Sequence, residues 1–319
     1  MKEIAVVVPT IRPETISTFL DAWRELFNKH NVEFVLVDDT GKKPQVIHNG
    51  KKELQSDLVS NKCAGVRQLG FLYVAKLLPE VKYIFTTDDD CFPVGDPIQD
   101  HIDQLNRRVP ISWISTATDI YLRGFPYGVR EEAPVMLSHG VWDTVPDYDA
   151  PTQLLTPKDF KPTYYKGVIP KGIFAPICGM NIAFRREALP YIYFAPVGQY
   201  KGAERFDDIW MGLEVIKDFA KHNWGIVTGY ARVNHLRASN VFTSLAKEVV
   251  GIAKNEVYWK GEYDEWYKDF IKKRKKWWEE VSYNIGRKEY QAIGFNFIPP
   301  LSKLKSLYGI PVIKCKKNV

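Results

Sequence analysis

Three adjacent carboxylates, Asp88-Asp89-Asp90, follow the short apolar run 83–85 and give the strongest indication of chemistry in the sequence. Like charges this close repel one another, and a divalent cation relieves the repulsion because it prefers carboxylate oxygens as ligands. Mg²⁺ or Mn²⁺ bound there would neutralise a diphosphate and help it to depart as a leaving group. A solvated acidic loop is the competing interpretation, and the preceding strand favours the metal site.

Two arginines, Arg123 and Arg130, flank a loop that contains glycine and proline. The planar guanidinium group matches phosphate geometry, so the pair suits an anionic ligand. Surface ion pairs with nearby carboxylates such as Glu131 explain the same pattern equally well.

Asp207, Asp208 and His235 are weaker candidates. Acidic residues in the first turn of a helix complement the helix dipole, so Asp207-Asp208 needs no functional explanation. A lone histidine is more often structural than a ligand, and a metal role for His235 requires that it lie close to Asp90.

The elements that must position these residues follow a β-α-β-α-β rhythm. Apolar runs over 4–8, 34–37 and 83–85 predict strands, and helical spacing over 15–30 and 61–78 predicts the intervening helices. This alternation predicts an α/β fold with a mainly parallel sheet flanked by helices. Ligands of such sheets bind at the carboxyl ends of the strands. Polar clusters fall there three times, at Thr10/Arg12, Asp38/Asp39 and Asp88 to Asp90.

The middle of the chain, residues 111–240, is less regular. Glycine and proline punctuate it, which is typical of long loops that cover a site, and a helix is expected over 205–221.

Composition excludes several classes of protein. The 319 residues are 45% hydrophobic and 26% charged, which argues against disorder. The sequence lacks an apolar run of about 18 residues, so integral membrane association is not expected. It also lacks a Gly-x-Gly pair, so we expect neither NAD nor flavin. The scattered cysteines Cys63, Cys91, Cys178 and Cys315 predict a reducing, cytoplasmic setting.

Positive charge is concentrated in the tail. Residues from 247 onward carry a net charge of +7, which leaves −1 on the first 246. An aromatic stripe from Trp259 to Trp277 has helical spacing and includes the basic run 272–276. We therefore expect a main α/β domain over 1–245 and a helical, basic extension over 246–319 that packs on it or makes oligomer contacts. Interspersed acidic residues argue against nucleic-acid binding.

In combination, these segments resemble the reversibly glycosylated polypeptide family, whose plant members are UDP-arabinopyranose mutases with a glycosyltransferase-A-like (GT-A-like) fold. The likeness covers about residues 4–250. The matching segments are Val7 to Arg12, Tyr83 to Phe92 with Asp96-Pro97 beyond it, Arg123 to Arg130, Ser138 to Gln153, Cys178 to Phe184, Arg205 to Trp210 and Ala238 to Asn240.

The resemblance implies that Asp88 and Asp90, with His235 on weaker grounds, hold Mn²⁺ or Mg²⁺ on a UDP diphosphate. It implies that Arg123 occupies the position of a reversibly glycosylated arginine and that Arg130 is a second required arginine. The catalytic candidates are then Arg123, Arg130, Asp207 and Asp208. The nucleotide-binding candidates are Thr10, Arg12, Asp38, Asp39, Arg67, Asp88 and Asp89.

The implied activity is a UDP-sugar mutase that interconverts pyranose and furanose forms, with UDP-arabinose as the expected substrate. It would depend on a metal but not on flavin, and the chain would form a homo-oligomer. A glycosyltransferase with a UDP-sugar donor and a self-glycosylating carrier protein are the alternatives. Phe125, Tyr127, Gly128 and Val129 depart from the family's arginine loop and could alter which sugar fits.

Overall fold

The computed structural model describes residues 2–48, 54, 56–114, 117, 120–157, 160–200, 202–236 and 239–285. The strands are β1 Ile4–Thr10, β2 Glu33–Asp38, β3 Gln45–Ile47, β4 Tyr83–Thr87, β5 Cys91–Pro93, β6 Arg108–Val109, β7 Ala133–Trp142, β8 Gly167–Ile169, β9 Asn181–Arg185 and β10 Gly225–His235. The α-helices are α1 Ile16–Lys29, α2 Arg67–Leu77, α3 Pro97–Leu105, α4 Ala150–Leu155, α5 Asp207–His222, α6 Val241–Tyr258 and α7 Glu265–Ile285.

The main sheet has the strand order β3-β2-β1-β4-β9-β7-β10-β5. β1 pairs in parallel with β2 and β4, and β7 pairs in parallel with β10. β9 lies antiparallel between β4 and β7, so these two run in the same direction. The carboxyl ends of β1, β2, β4, β7 and β10 therefore share one edge of the sheet. The predicted α/β fold, with a mainly parallel sheet flanked by helices, is confirmed.

The helix α2 lies unusually close to the sheet. A Cβ atom on Gly70 would come within 2.5 Å of a Val7 methyl group and 2.9 Å of a Val37 methyl group, so the helix can approach only because glycine stands there. This close packing fixes the amino end of α2, with the buried Arg67, beside the carboxyl ends of β1 and β4.

The two longest strands, β7 and β10, fall where the sequence predicted long loops, and that prediction was wrong for them. β7 is buried almost throughout, so it lacks the alternation of polar and apolar residues that marks a half-exposed strand. β10 carries a register irregularity after Thr228, next to Gly229 with its φ of +90°. Such a bulge interrupts the strand pattern in the sequence.

The part of the predicted extension that the structure describes contains the helices α6 and α7. They belong to the same compact unit as the sheet, which continues to Ile285. Phe270 and Trp277 are buried in this packing, whereas Trp259 is 50% exposed. Residues 286–319, with Cys315, lie outside the described residues. No helix in the described part of the chain is long and apolar enough to cross a membrane.

Candidate active site

A cavity of about 790 Å³ opens at the carboxyl edge of the sheet. The segment after β1, the segment after β4 and the amino ends of α2 and α5 line it, and α6 closes one wall. Its volume lies within the range of small-molecule and cofactor sites. The position is the one expected for a ligand of a mainly parallel sheet.

Asp89 fastens the segment after β1 to the segment after β4. Its Oδ2 accepts hydrogen bonds from Thr10 Oγ1 at 2.6 Å and Thr15 Oγ1 at 3.1 Å, and its Oδ1 pairs with Arg12. Burial acts against the charge of Arg12, but the hydrogen bond and charge of Asp89 outweigh it and raise the Arg12 pKa. Arg12 also contacts Asp90 at 3.1 Å. Asp89 is thus occupied by protein donors, which suits an anchor better than a metal ligand.

Arg67 is the buried positive centre of the cavity and is only 1% exposed. Its Nη2 donates to Asp88 Oδ1 at 2.5 Å, and its Nη1 donates to Gly179 O. Burial opposes its charge, and the carboxylates around it, with Asp88 foremost, raise its pKa above the ordinary value. The guanidinium is therefore a fixed cation beside the acidic triplet.

Asp90 and His235 are the pair best placed to hold a cation. His235 Nδ1 lies 3.1 Å from Val145 O, and its Nε2 lies 3.9 Å from Asp90 Oδ1. A neutral imidazole that donates from Nδ1 to a carbonyl leaves the Nε2 lone pair directed at the carboxylate, as in metal-binding histidines. Burial, and then the charge of Asp88, raise the pKa of Asp90.

A complete metal-binding group is not preassembled. No set of three His, Cys, Asp or Glu side chains among the described residues is arranged to bind a metal ion. Asp88 is engaged by Arg67. The donor set nevertheless fits Mg²⁺ or Mn²⁺, because such ions commonly take one or two carboxylates and complete their coordination with phosphate oxygens and water.

Asp207 and Asp208 fasten the amino end of α5 to the cavity. Asp207 Oδ2 accepts Gly65 N–H at 2.8 Å, and Asp208 Oδ2 accepts Gly179 N–H at 2.8 Å. Burial raises the pKa of Asp207 to about 6 and that of Asp208 to about 8, and the charge of Asp207 adds to the second shift. They do more than complement the helix dipole, because each holds a loop that lines the cavity.

The model of the family described as "Reversibly glycosylated polypeptide" matches residues 1–260 of this chain. The chain belongs to the reversibly glycosylated polypeptide family. UDP-arabinopyranose mutase 3 of Arabidopsis thaliana is 35% identical over 280 residues, which cover 78% of this chain and 75% of that protein. UDP-arabinopyranose mutase 1 of Oryza sativa subsp. japonica is 34% identical over 280 residues, which cover 78% of this chain and 74% of that protein.

The arginine loop of this family member lies apart from the cavity. Arg123 is exposed, and neither Arg123 nor Arg130 is among the described residues that line the cavity. Arg130 stacks over Tyr127, 3.8 Å from the ring centroid, and donates to Phe125 O at 3.0 Å. The loop precedes the amino end of β7. The ten residues of this strand span roughly 33 Å, and its other end, at Trp142, lines the cavity. The structure does not bring these arginines to the carboxylates, and their catalytic role stays a prediction.

Asp38 and Asp39 also lie outside the cavity lining among the described residues. Asp39 is buried, its Oδ2 accepts Lys62 N–H at 2.5 Å, and burial raises its pKa. Lys62 itself lines the cavity. The expected place of the two aspartates near a uridine remains a prediction, and any contact would run through the Lys62 segment.

Residues in the cavity wall that sequence reasoning did not name as candidates include His139, Trp142, Asp147 and Cys178. None stands in a recognisable motif by itself. The available signal was their location, because they fall in the segments 138–153 and 178–184, which resemble the family.

Proposed function

We propose that this protein is a UDP-sugar mutase that interconverts the pyranose and furanose forms of a UDP-bound sugar, with UDP-arabinose as substrate. The observation that carries the proposal is the cavity at the carboxyl edge, where Arg12 and Arg67 meet the acidic triplet. The relatives named UDP-arabinopyranose mutase, 35% identical to this chain, support the choice of reaction.

Asp90 and His235, with Asp88 once Arg67 releases it, would hold Mn²⁺ or Mg²⁺. Such a cation would offset the charge of the diphosphate and stabilise departing UDP. Pyranose and furanose forms are isomers, so the net reaction consumes no oxidant or reductant. The resemblance to the family further implies activity without flavin or NAD.

The side chains of Arg12 and Arg67 would also act on the negative charge of the diphosphate. Arg12 and Arg67 line the cavity, where Asp89 and Asp88 pair with them, so both guanidinium groups can stabilise negative charge on the diphosphate. Thr10 and Asp89 fix the orientation of Arg12. The cleavage of the bond between C1 and the phosphate would take place between these groups.

Arg123 would act on the released sugar, either as its covalent carrier or, with Arg130, by stabilising charge. A protonated guanidinium is a poor nucleophile, so the carrier role needs a carboxylate base and a dry pocket. Because Arg123 is exposed, its loop must reach the cavity during the reaction in either role.

The test is incubation of the protein and Mn²⁺ with a panel of UDP-sugars, followed by separation of ring isomers. We expect UDP-arabinofuranose from UDP-arabinopyranose, loss of the product with a chelator, and recovery with Mn²⁺ or Mg²⁺. Activity that appears only with reduced flavin would contradict the proposal. Light scattering of the same sample tests the expected homo-oligomer.

A glycosyltransferase is the second candidate, and the position of the arginine loop favours it. A transferase needs the donor site at the carboxyl edge but no sugar carrier, and the described cavity lacks both loop arginines. Release of free sugar and UDP without a furanose product would indicate a transferase that lacks its acceptor. Stoichiometric labelling of the chain without turnover would indicate a self-glycosylating carrier.

A further inference from the structure

Asp147 and Asp208 line the same cavity, together with Cys178. Asp208 Oδ2 accepts Gly179 N–H at 2.8 Å, and the charge of Asp147 acts, after burial, on the pKa of the Cys178 thiol. His139 holds the Cys178–Gly179 turn from within the sheet, because its Nε2 accepts Cys178 N–H at 3.2 Å. The two carboxyl groups therefore lie at the same turn of the cavity wall.

This turn adjoins the proposed diphosphate site. Arg67 donates both to Asp88 and to Gly179 O, so its guanidinium lies between the acidic triplet and the turn. A sugar linked to a diphosphate beside Asp88 would extend into this part of the cavity. Trp142, only 5% exposed, lines the same part, and its Nε1–H has no hydrogen-bond partner among the described residues.

The two carboxyl groups differ in their surroundings. Burial raises the pKa of Asp208 to about 8; the charges of Asp207 and Asp147 add to this, and Gly179 N–H and Arg67 oppose it. Burial, and then the charges of Asp147 and Asp208, raise the pKa of the Cys178 thiol well above its ordinary value. At neutral pH Cys178 is therefore a thiol, and Asp208 holds a proton.

We propose that Asp208 and Asp147 are the proton donor and proton acceptor of the ring exchange, an inference that rests on the mutase function proposed above. A pyranose becomes a furanose when C1 exchanges its bond to O5 for a bond to O4. One proton must leave O4 and one must reach O5. A protonated carboxyl group and a carboxylate that line the same cavity can supply both transfers.

The bonds and charges balance as follows. After the UDP oxygen leaves C1 with the bonding pair, an O4 lone pair forms the C1–O4 bond and the O4 proton passes to the Asp147 carboxylate. The C1–O5 bond then breaks, its electron pair stays on O5, and O5 takes the proton of Asp208. The UDP oxygen returns its pair to C1. The pair still holds one proton, which returns to Asp208 through solvent, and the reverse reaction exchanges the two roles.

Positional isotope exchange separates this step from the cleavage of the C1–phosphate bond. The substrate is UDP-L-arabinopyranose with ¹⁸O in the bridge between C1 and the β-phosphorus, incubated with Mn²⁺. Scrambling of the label reports cleavage, and formation of the furanose reports ring exchange. The wild-type protein is expected to show both.

Asp208→Asn keeps an oxygen that can accept the hydrogen bond from Gly179 N–H, but it has no acidic proton to donate. Asp147→Asn cannot accept a proton from O4. In each variant we expect furanose formation to fall about 100-fold or more, while isotope scrambling stays within about threefold of wild type. Asp208→Glu should recover part of the furanose formation. Asp103→Asn changes an exposed carboxylate on α3 that is not among the residues lining the cavity, and it should leave both rates unchanged.

Equal loss of scrambling and ring exchange in folded Asn variants would overturn the proposal, because it indicates a structural role. Unchanged furanose formation would overturn it as well. Scrambling without furanose in the wild-type protein would refute the mutase function itself and, with it, the acid–base pair. If circular dichroism shows that Asp208→Asn does not fold, Asp147→Asn and Asp208→Glu provide the test. The quantity compared is again the rate of furanose formation relative to the rate of isotope scrambling.

Discussion

The acidic edge of the sheet and the arginine loop are built in opposite ways. At the acidic edge, Arg67 is buried and bonded to Asp88 and to the backbone of Gly179. In the arginine loop, Arg123 is exposed, and Arg130 rests on Tyr127. The half of the site that would bind a nucleotide diphosphate is thus organised in the free chain. The loop arginines would have to be brought to it in order to act on the sugar.

The difference in burial between the two regions predicts different effects of mutations on stability and on activity. Removing one partner from a buried network of charges leaves the others uncompensated in a poorly solvated place. An exposed arginine remains solvated whatever happens to its neighbours, so its loss costs little stability. Changes at the acidic edge should therefore affect folding and activity together, and changes in the arginine loop should affect activity alone.

The largest change in unfolding free energy is expected for Arg67→Met. The substitution leaves Asp88, Asp207 and Asp208 without their shared cation, and it should lower the unfolding free energy by about 3–5 kcal/mol in urea denaturation. Arg232→Met, which removes an exposed pair with Asp143, is the matched control and should stay within about 1 kcal/mol of wild type. A similar loss in the two variants would show that the acidic edge is not organised around Arg67.

Sequence patterns could predict the acidic edge, whereas its central cation, Arg67, was expected in the site only from the resemblance to the family. The apolar runs that became β1, β2 and β4 placed Thr10 and Asp88 to Asp90 at one edge. Arg67 stands among apolar residues of α2, and its partner Gly179 is 112 residues away, so local spacing gave no sign of their contact. β7 and β10 were not predicted, because burial in β7 and a bulge in β10 remove the alternation of polar and apolar residues that identifies strands.

A second effect on stability should appear in its pH dependence. The folded pKa of Asp208, about 8, lies above the ordinary value of 3.8, so the folded chain holds a proton that the unfolded chain releases. The stability that this proton supplies is fully present below about pH 4 and is lost as the pH rises to about 8. Over this range the unfolding free energy falls by at most about 1.4 kcal/mol per pH unit. Asp208→Asn should flatten this fall in urea titrations between pH 5 and 8.

The control for the pH dependence is Asp103→Asn, which changes an exposed carboxylate on α3 and should keep the wild-type slope. If Asp208→Asn keeps that slope as well, Asp208 is charged in the folded chain at neutral pH. The acid–base pair would then lose its proton donor.

A still smaller effect is expected for the stacking of Arg130 over Tyr127. Cation–π contacts at exposed sites contribute about 0.5–1 kcal/mol. A double-mutant cycle with Arg130→Met and Tyr127→Leu should therefore give a coupling energy of about that size in urea denaturation. A coupling of several kcal/mol would show that the arginine loop is as firmly organised as the acidic edge and would remove the contrast between them.

The smallest change in unfolding free energy is expected for Arg123→Lys, within about 0.5 kcal/mol, because the side chain is exposed. Its effect on furanose formation decides whether the loop takes part in the reaction. Lysine keeps the positive charge but loses the planar fork and, at neutral pH, is protonated as well. A carrier role therefore predicts loss of furanose formation with unchanged stability.

Intact-mass and peptide analysis after incubation with UDP-sugar separates the two roles of Arg123. A sugar adduct on Arg123 in the wild-type protein, absent from the inactive Lys variant, supports the carrier. Lost activity with no adduct in either protein supports charge stabilisation. Full activity in the Lys variant without an adduct would remove Arg123 from the mechanism. Catalysis would then belong wholly to the acidic edge, where Asp147 and Asp208 could exchange the ring oxygens without a covalent intermediate on the chain.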